Sequence, residues 1–239
     1  MTITNEDAKA AGSASSLSRM LQFGDSMFPI GAFSFSSGLE SAIQEGAVTN
    51  AATLRAFAQT ALEQAARGDC IALIAAHRAA TADDVDTLVR IDAQVYARKL
   101  SDEARAMSVR MGKKFAEMGV AVVGAPLLRA WRERIETSVT PGCYPLALAI
   151  GFAVQNLPAS QAFIVHQYGV ATTILGAALR LMKVSHIDTQ KILYELTRKA
   201  EEAYPATAAA RLSDMAGFAP LTEILAAIHT RAHVRLFMN

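Results

Sequence analysis

Gln22 to Glu40 reads QFGDSMFPIGAFSFSSGLE. The stretch holds three glycines, one proline, four serines and four phenylalanines, a mixture foreign to a plain helix. Pro29 fixes its own φ and biases Phe28 away from the α region. Gly31 can take a backbone shape that other residues resist, and Gly38 permits close approach by another segment. Phe23, Phe28, Phe33 and Phe35 are too apolar for a free loop. The expectation is a structured, partly buried turn whose serine hydroxyls tie off backbone groups, ending where Leu39 and Glu40 open a helix.

Outward from this turn, no convincing alternating strand appears, and apolar residues recur at helical spacing. Leu39 to Gly46 reads as a short helix. Asn50 caps the next, with Leu54, Phe57, Ala58, Ala61, Leu62 and Ala65 on one stripe and Gly68 as its stop. Cys70 to Ala79 is apolar enough to be buried. Asp83, Asp84 and Asp86 mark the start of a helix through Leu88, Ile91 and Val95. Ser101 caps a helix with Met107, Met111, Phe115 and Met118 inward. Pro126 opens another, burying Leu127, Leu128, Trp131 and Ile135. Thr140-Pro141-Gly142 is a turn, and Pro145 opens a helix that is apolar all round. Ser160 is expected to cap the long apolar segment 161–182. His186-Ile187-Asp188 reads as a connection with Asp188 as cap. The following helix is expected to stop at Pro205, with Glu195–Lys199 and Arg198–Glu202 as ion pairs along it. Ala206 to Ala219 reads as a loop with a short helical piece, and Pro220 starts a last helix through Leu221, Ile224, Leu225 and Ile228. The result is an all-α, single-domain bundle of roughly ten helices over residues 18–239. Residues 1–17, small and weakly charged, read as a flexible tail.

The 239 residues suffice for one sizeable core. A net charge of +1 gives no reason to expect nucleic acid or an anionic membrane as partner. Two cysteines, Cys70 and Cys143, cannot make a disulfide framework, and both lie among apolar residues. They read as reduced core thiols of a cytoplasmic protein with no signal peptide. Segment 161–182 has the length of a membrane span, but Gln161, His166, Gln167 and Arg180 favour a buried central helix.

Catalytic constellations fail in turn. Gly24-Asp25-Ser26 resembles the nucleophile block of GDSL hydrolases, which needs an Asp three residues before a His. Here those positions hold Ile74, Phe163, Lys183, Ala226 and Thr230. Gly112-Lys113 lacks the first glycine and the hydroxyl of a P-loop, so no phosphate cradle forms. Glu40, at a helix start, is most simply a capping or dipole-stabilising carboxylate. His229 and His233, spaced four apart, do not by themselves close a metal site. No resident cofactor is expected, and only a transient metal contact is left open.

Pro29-Ile30-Gly31-Ala32-Phe33-Ser34-Phe35-Ser36-Ser37-Gly38-Leu39-Glu40 resembles the P-x-G-G-[FY]-S-x-S-x-G-L-E block of the urease accessory protein UreF family, with Ala32 in place of the second Gly. The chain end from Ile228 to Phe237 is similar to the same family's R-H-E-x-x-Y-x-R-L-F block. His229, Arg235, Leu236 and Phe237 match it, while Ile228, Thr230 and His233 depart. Gly142-Cys143-Tyr144-Pro145 corresponds to a G-H-x-P block with Cys for His, and Lys183 falls near a basic residue after the family's long apolar helix.

The resemblance implies an all-helical, non-enzymatic chaperone. It would dimerise, bind UreD partly through its tail, recruit the GTPase UreG and assist nickel delivery to the urease apoprotein. The partner-binding residues so implied are Pro29, Gly31, Phe33, Ser34, Ser36, Gly38 and Glu40, then Lys183, His229, Arg235, Leu236 and Phe237. Leu236 and Phe237, flanked by Arg235, are suitable anchors for a partner groove. Two rival readings are a metallochaperone that holds nickel through His229, His233 or Cys143, and a regulator of the UreG GTPase cycle.

Overall fold

The computed structural model describes residues 5–217 together with 219, 224, 225, 228, 236 and 237, with side chains from residue 14 onward. Ten α-helices follow in chain order among these residues: α1 (Asn5–Gly24), α2 (Leu39–Gln44), α3 (Ala51–Arg67), α4 (Asp69–Thr81), α5 (Val85–Arg98), α6 (Asp102–Val122), α7 (Pro126–Glu136), α8 (Tyr144–Ala153), α9 (Ala159–Leu181) and α10 (His186–Ala209). No strand occurs among the described residues. The all-α bundle expected from hydrophobic periodicity is therefore what forms.

The apolar stripes close into two cores. The first gathers α4, α5, α6, α7 and α8 around Phe115, Trp131, Phe152 and Phe163. The second gathers α2, α3 and α10 around Leu39, Leu54, Ile174 and Leu196. α9 runs through both. Its N-terminal half puts Ala162, Phe163 and Val165 into the first core, and its C-terminal half puts Ala171, Ile174, Leu175 and Ala178 into the second. The helix has the hydropathy of a membrane span, yet 56% of that window is packed inside the protein.

Several helix starts form where the sequence predicts. Asn50 makes a reciprocal capping box with Thr53, and Asp84 and Ser101 cap α5 and α6. All ten residues of α8 are buried, as a helix apolar on every side requires.

Other boundaries differ. Asn5–Gly24 is helical across most of the expected tail. Ala8, Ala10, Ala11 and Ala14 are strong helix formers, which the small, polar composition concealed. Pro158, not Ser160, sits at the N-cap of α9, fixing the chain's entry by its own φ. Ser185 caps α10, and Asp188 is its capping-box partner, accepting the Ser185 amide and hydroxyl.

α10 continues through Pro205 to Ala209. The missing amide and ring clash cost about 3 kcal/mol in a helix interior. Here the Tyr204 ring packs edge-on against Phe163 at 5.3 Å, and Arg78 donates to the Ala208 carbonyl at 2.7 Å. Tertiary packing thus outweighs the local stop signal. Lys199 donates to Gln59 on α3 and Glu195 lies 3.9 Å from Arg55, so both expected members of that pair turn to α3 instead. Arg198–Glu202 does pair, at 3.7 Å. Of the last helix, Ile224, Leu225 and Ile228 are helical, and the neighbours that would extend it lie outside the described residues.

Candidate partner-docking site

The opening stretch ties the two cores together. Phe23, Phe28 and Phe35 enter the first core, where Phe23 and Phe28 pack at 4.8 Å and Phe28 meets Phe115 at 5.3 Å. Leu39 and Ala42 enter the second. Between them the chain reverses through left-handed backbone at Gly31 (φ 78°), Ser37 (φ 54°) and Gly38 (φ 80°). A side chain would find open space at either glycine, so backbone conformation alone demands them. Ala32 heads a 3-10 turn, Ala32–Ser34, where an L-residue is unstrained, which is why the family's second glycine is dispensable here. Asp25 accepts the Met27 amide at 2.6 Å as a local turn former.

Glu40 is more than a helix-start carboxylate. It is buried, and its two oxygens accept the backbone amides of Leu236 and Phe237 at 2.8 and 3.1 Å. The first motif thus grips the last one across the whole sequence. Phe237 is only 5% exposed and belongs to the second core. Arg180, near the end of α9, lies 4.1 Å over its ring and donates to the Phe33 carbonyl at 3.0 Å. Leu236 points outward at 63% exposure, and the Phe33 side chain is 73% exposed. Of the two expected tail anchors, one is spent inside the protein and the other is free to face a partner.

Among the remaining expected residues, Pro29 and Lys183 are exposed, Gly31 and Ser34 are half-buried, and Ser36 and Gly38 are buried. Ser36 supports the turn by accepting the Glu40 amide at 3.4 Å. Lys183 sits in the α9–α10 connection. Three residues on, a shallow depression of about 550 Å³ runs along α10, lined by His186, Ile187, Gln190, Lys191, Tyr194 and Glu195. Ile187 and Tyr194 are exposed there. His229, His233 and Arg235 lie outside the described residues.

The residues with chemical potential inside the fold are structural. Asp92, wholly buried, accepts the Thr140 hydroxyl and the Gly142 amide, both at 2.6 Å, and the Cys143 amide at 2.9 Å. It ties the G-C-Y-P turn to α5, while α6 packs against the same turn. There Gly112 comes so close that a Cβ would sit 2.1 Å from the Gly142 carbonyl oxygen. Gly112 is therefore a close-approach residue, and its P-loop look is accidental.

A second buried group centres on His166. Its Nδ1 faces the Cys70 thiol at 3.5 Å, its ring stacks on Tyr144, and Nε2 lies 3.9 Å from Asp69, which pairs with Lys99 at 2.8 Å. Burial drives the His166 pKa down to about 4 against the pull of Asp69, so the ring is neutral at pH 7. Burial also pushes the Asp69 carboxyl up, but Lys99 and His166 outweigh it and hold it below its ordinary value. Burial raises both the Cys70 and Cys143 thiols, leaving them unreactive. His77 donates through Nε2 to the Leu157 carbonyl at 2.8 Å, tying α4 to the α8–α9 connection. Among the described residues, no three His, Cys, Asp or Glu side chains gather to hold a metal ion.

Neither Asp92 nor Arg180 was legible as a key residue. Each acts on segments far away in sequence, and a lone Asp or Arg on a helix carries no local signal.

A family model described as UreF matches residues 48–197. The chain is 53% identical over 238 residues to urease accessory protein UreF 1 of Brucella melitensis, covering 100% of this chain and 98% of that one. It is 49% identical over 226 residues to urease accessory protein UreF of Yersinia pseudotuberculosis, covering 95% of this chain and 99% of that one. The Brucella alignment spans the signature turn, the intervening helices and the tail, and the chain belongs to the UreF family of urease accessory proteins.

Proposed function

We propose that the protein is a cytoplasmic, non-enzymatic scaffold for urease maturation. It acts as a homodimer with UreD and the GTPase UreG to assist nickel insertion into the urease apoprotein. The observation that carries this reading is the joined surface of signature and tail. Glu40 and Arg180 seat Phe237 inside, while Leu236 and Phe33 stay outside. Exposed apolar side chains held by a preorganised frame suit protein docking, because little ordering entropy remains to be lost on binding.

Within this reading, Leu236 is the tail residue that enters a UreD groove, and Phe237 is the internal anchor that aims it. Lys183 and the α10 depression form a separate face available to UreG. A pull-down of UreD tests the tail claim. Leu236→Asp should lose most of the captured UreD while retaining the wild-type circular dichroism spectrum, and capture at wild-type level would refute it. Burying one Leu is worth about 2 kcal/mol, which corresponds to roughly a thirtyfold loss of affinity.

Cys143 is a poor nickel ligand for a metallochaperone, because it is fully buried with its amide held by Asp92. Equilibrium dialysis with Ni²⁺ separates the two: tight, stoichiometric binding by the isolated protein would favour the carrier. Single-turnover GTP hydrolysis by UreG, with and without this protein, tests the regulator reading.

A further inference from the structure

Cys70, His166 and Asp69 stand in line where α4 meets α9. The Cys70 sulfur faces His166 Nδ1 at 3.5 Å, and His166 Nε2 faces Asp69 Oδ2 at 3.9 Å. With the ring hydrogen on Nε2, Nδ1 can take the thiol proton, and the Asp69 carboxylate steadies the imidazolium that results. That is the division of labour around an activated nucleophile. Gln167 adds a third element. Its Nε2 donates to the Cys70 sulfur at 3.4 Å and to the Leu62 carbonyl on α3 at 3.2 Å, and such a donor favours the thiolate over the thiol. Its Oε1 is buried without a partner, so the closed seam leaves an acceptor that water would satisfy. The solvent-facing end of the line is an ion pair. Lys99, in the α5–α6 connection, reaches the two Asp69 oxygens at 3.0 and 2.8 Å. These side chains are 17% and 25% exposed, whereas His166 is 4% exposed and Cys70 fully buried behind them.

We infer that Cys70 is a cryptic thiol-modification site, opened by release of the Lys99–Asp69 latch and taking a low-molecular-weight disulfide as its reactant. Closed, the thiol is inert because no reagent reaches it. Open, His166 Nδ1 takes the thiol proton and the sulfur attacks one sulfur of the disulfide. The new S–S bond forms on Cys70 as the old one breaks, and the departing thiolate takes the proton back from His166. Cys70 is thereby oxidised to a mixed disulfide, and the other half of the reagent is reduced to a thiol. A residue with no exposure cannot carry such a group unless α4 parts from α9, the helix that both cores share. Modification therefore loosens the joint between the cores and gives the protein a disulfide-sensitive off-state. This goes beyond the scaffold reading, since it concerns the free protein and holds whichever partners bind.

The aromatic disulfide DTNB tests the site on the full-length protein, with peptide mass mapping to assign each adduct. Cys143, equally buried but held in the Asp92 turn, is the internal control. Lys99→Met keeps most of the stem and removes the charge. It should speed modification of Cys70 by about tenfold or more, the yield of one lost charge-assisted contact, and leave Cys143 at its native rate. Adding His166→Phe should slow Cys70 again, because the base is gone, whereas lost packing alone would speed it. Oxidised glutathione should follow the same order of rates. Its Cys70 adduct should lower the urea midpoint, and dithiothreitol should restore it. A native Cys70 rate in Lys99→Met overturns the inference, as does a faster Cys70 in the double variant. Equal acceleration of Cys70 and Cys143 would mean general loosening and would overturn it too.

Discussion

Replacing Glu40 with Gln probes the grip between the two ends of the chain. In the native protein each carboxylate oxygen takes one amide, Leu236 at 2.8 Å and Phe237 at 3.1 Å. Gln keeps one acceptor oxygen and turns its NH₂ toward the other amide. One charge-assisted bond is then lost, worth about 1.5–3 kcal/mol, and one donor is left facing a donor at a further cost of about 1–3 kcal/mol. Partial relaxation leaves a net weakening of about 2–4 kcal/mol in the closing of the tail. Exchange of those amides scales with the open population, so both should exchange roughly 30- to 900-fold faster, saturating at the unprotected rate. The denaturant midpoint should move less, because the tail opens without unfolding either core. Amide-resolved hydrogen exchange checks the first expectation and urea titration the second. Wild-type protection at Leu236 and Phe237 in Glu40→Gln would refute the grip, and Glu40 would revert to a simple helix-start carboxylate.

Three further outcomes are expected. Gly112→Ala puts a methyl 2.1 Å from the Gly142 carbonyl oxygen on a turn clamped by Asp92, so α6 and the turn must separate. A loss of about 3 kcal/mol or more in urea unfolding is expected, and an unchanged midpoint would contradict the close approach. His166 has its folded pKa lowered from 6.5 to about 4, so between these values the unfolded chain binds a proton that the native one refuses. Stability should therefore rise with pH through that window, with about 3 kcal/mol lost on acidification across it, and His166→Gln should flatten the slope. Pro205→Ala restores an amide inside α10 and removes the ring clash, so a gain of about 1–2 kcal/mol after the lost rigidity of proline is expected by thermal melting, and a loss would mean that the ring itself packs usefully.

The amino-acid sequence by itself determined the helical class, most helix limits and the family. These are written in short-range terms: apolar spacing, Asn50 and Ser101 as caps, acids from Asp83 to Asp86 and Pro126 at helix starts, and two motifs readable as strings. It misread α1, the start of α10 and the passage through Pro205, because local stop signals and polar composition compete there with packing or propensity that they do not reveal. It also took Phe237 for a surface anchor and Glu40 for a local cap. Only the tertiary structure decided that these two meet, with Arg180 between the tail and the Phe33 turn, and that Asp92 and Gly112 hold the G-C-Y-P turn. Such contacts join residues separated by dozens to nearly two hundred positions. Their energy comes from burial and from pairing polar groups that water no longer reaches, and neither exists until the cores have closed.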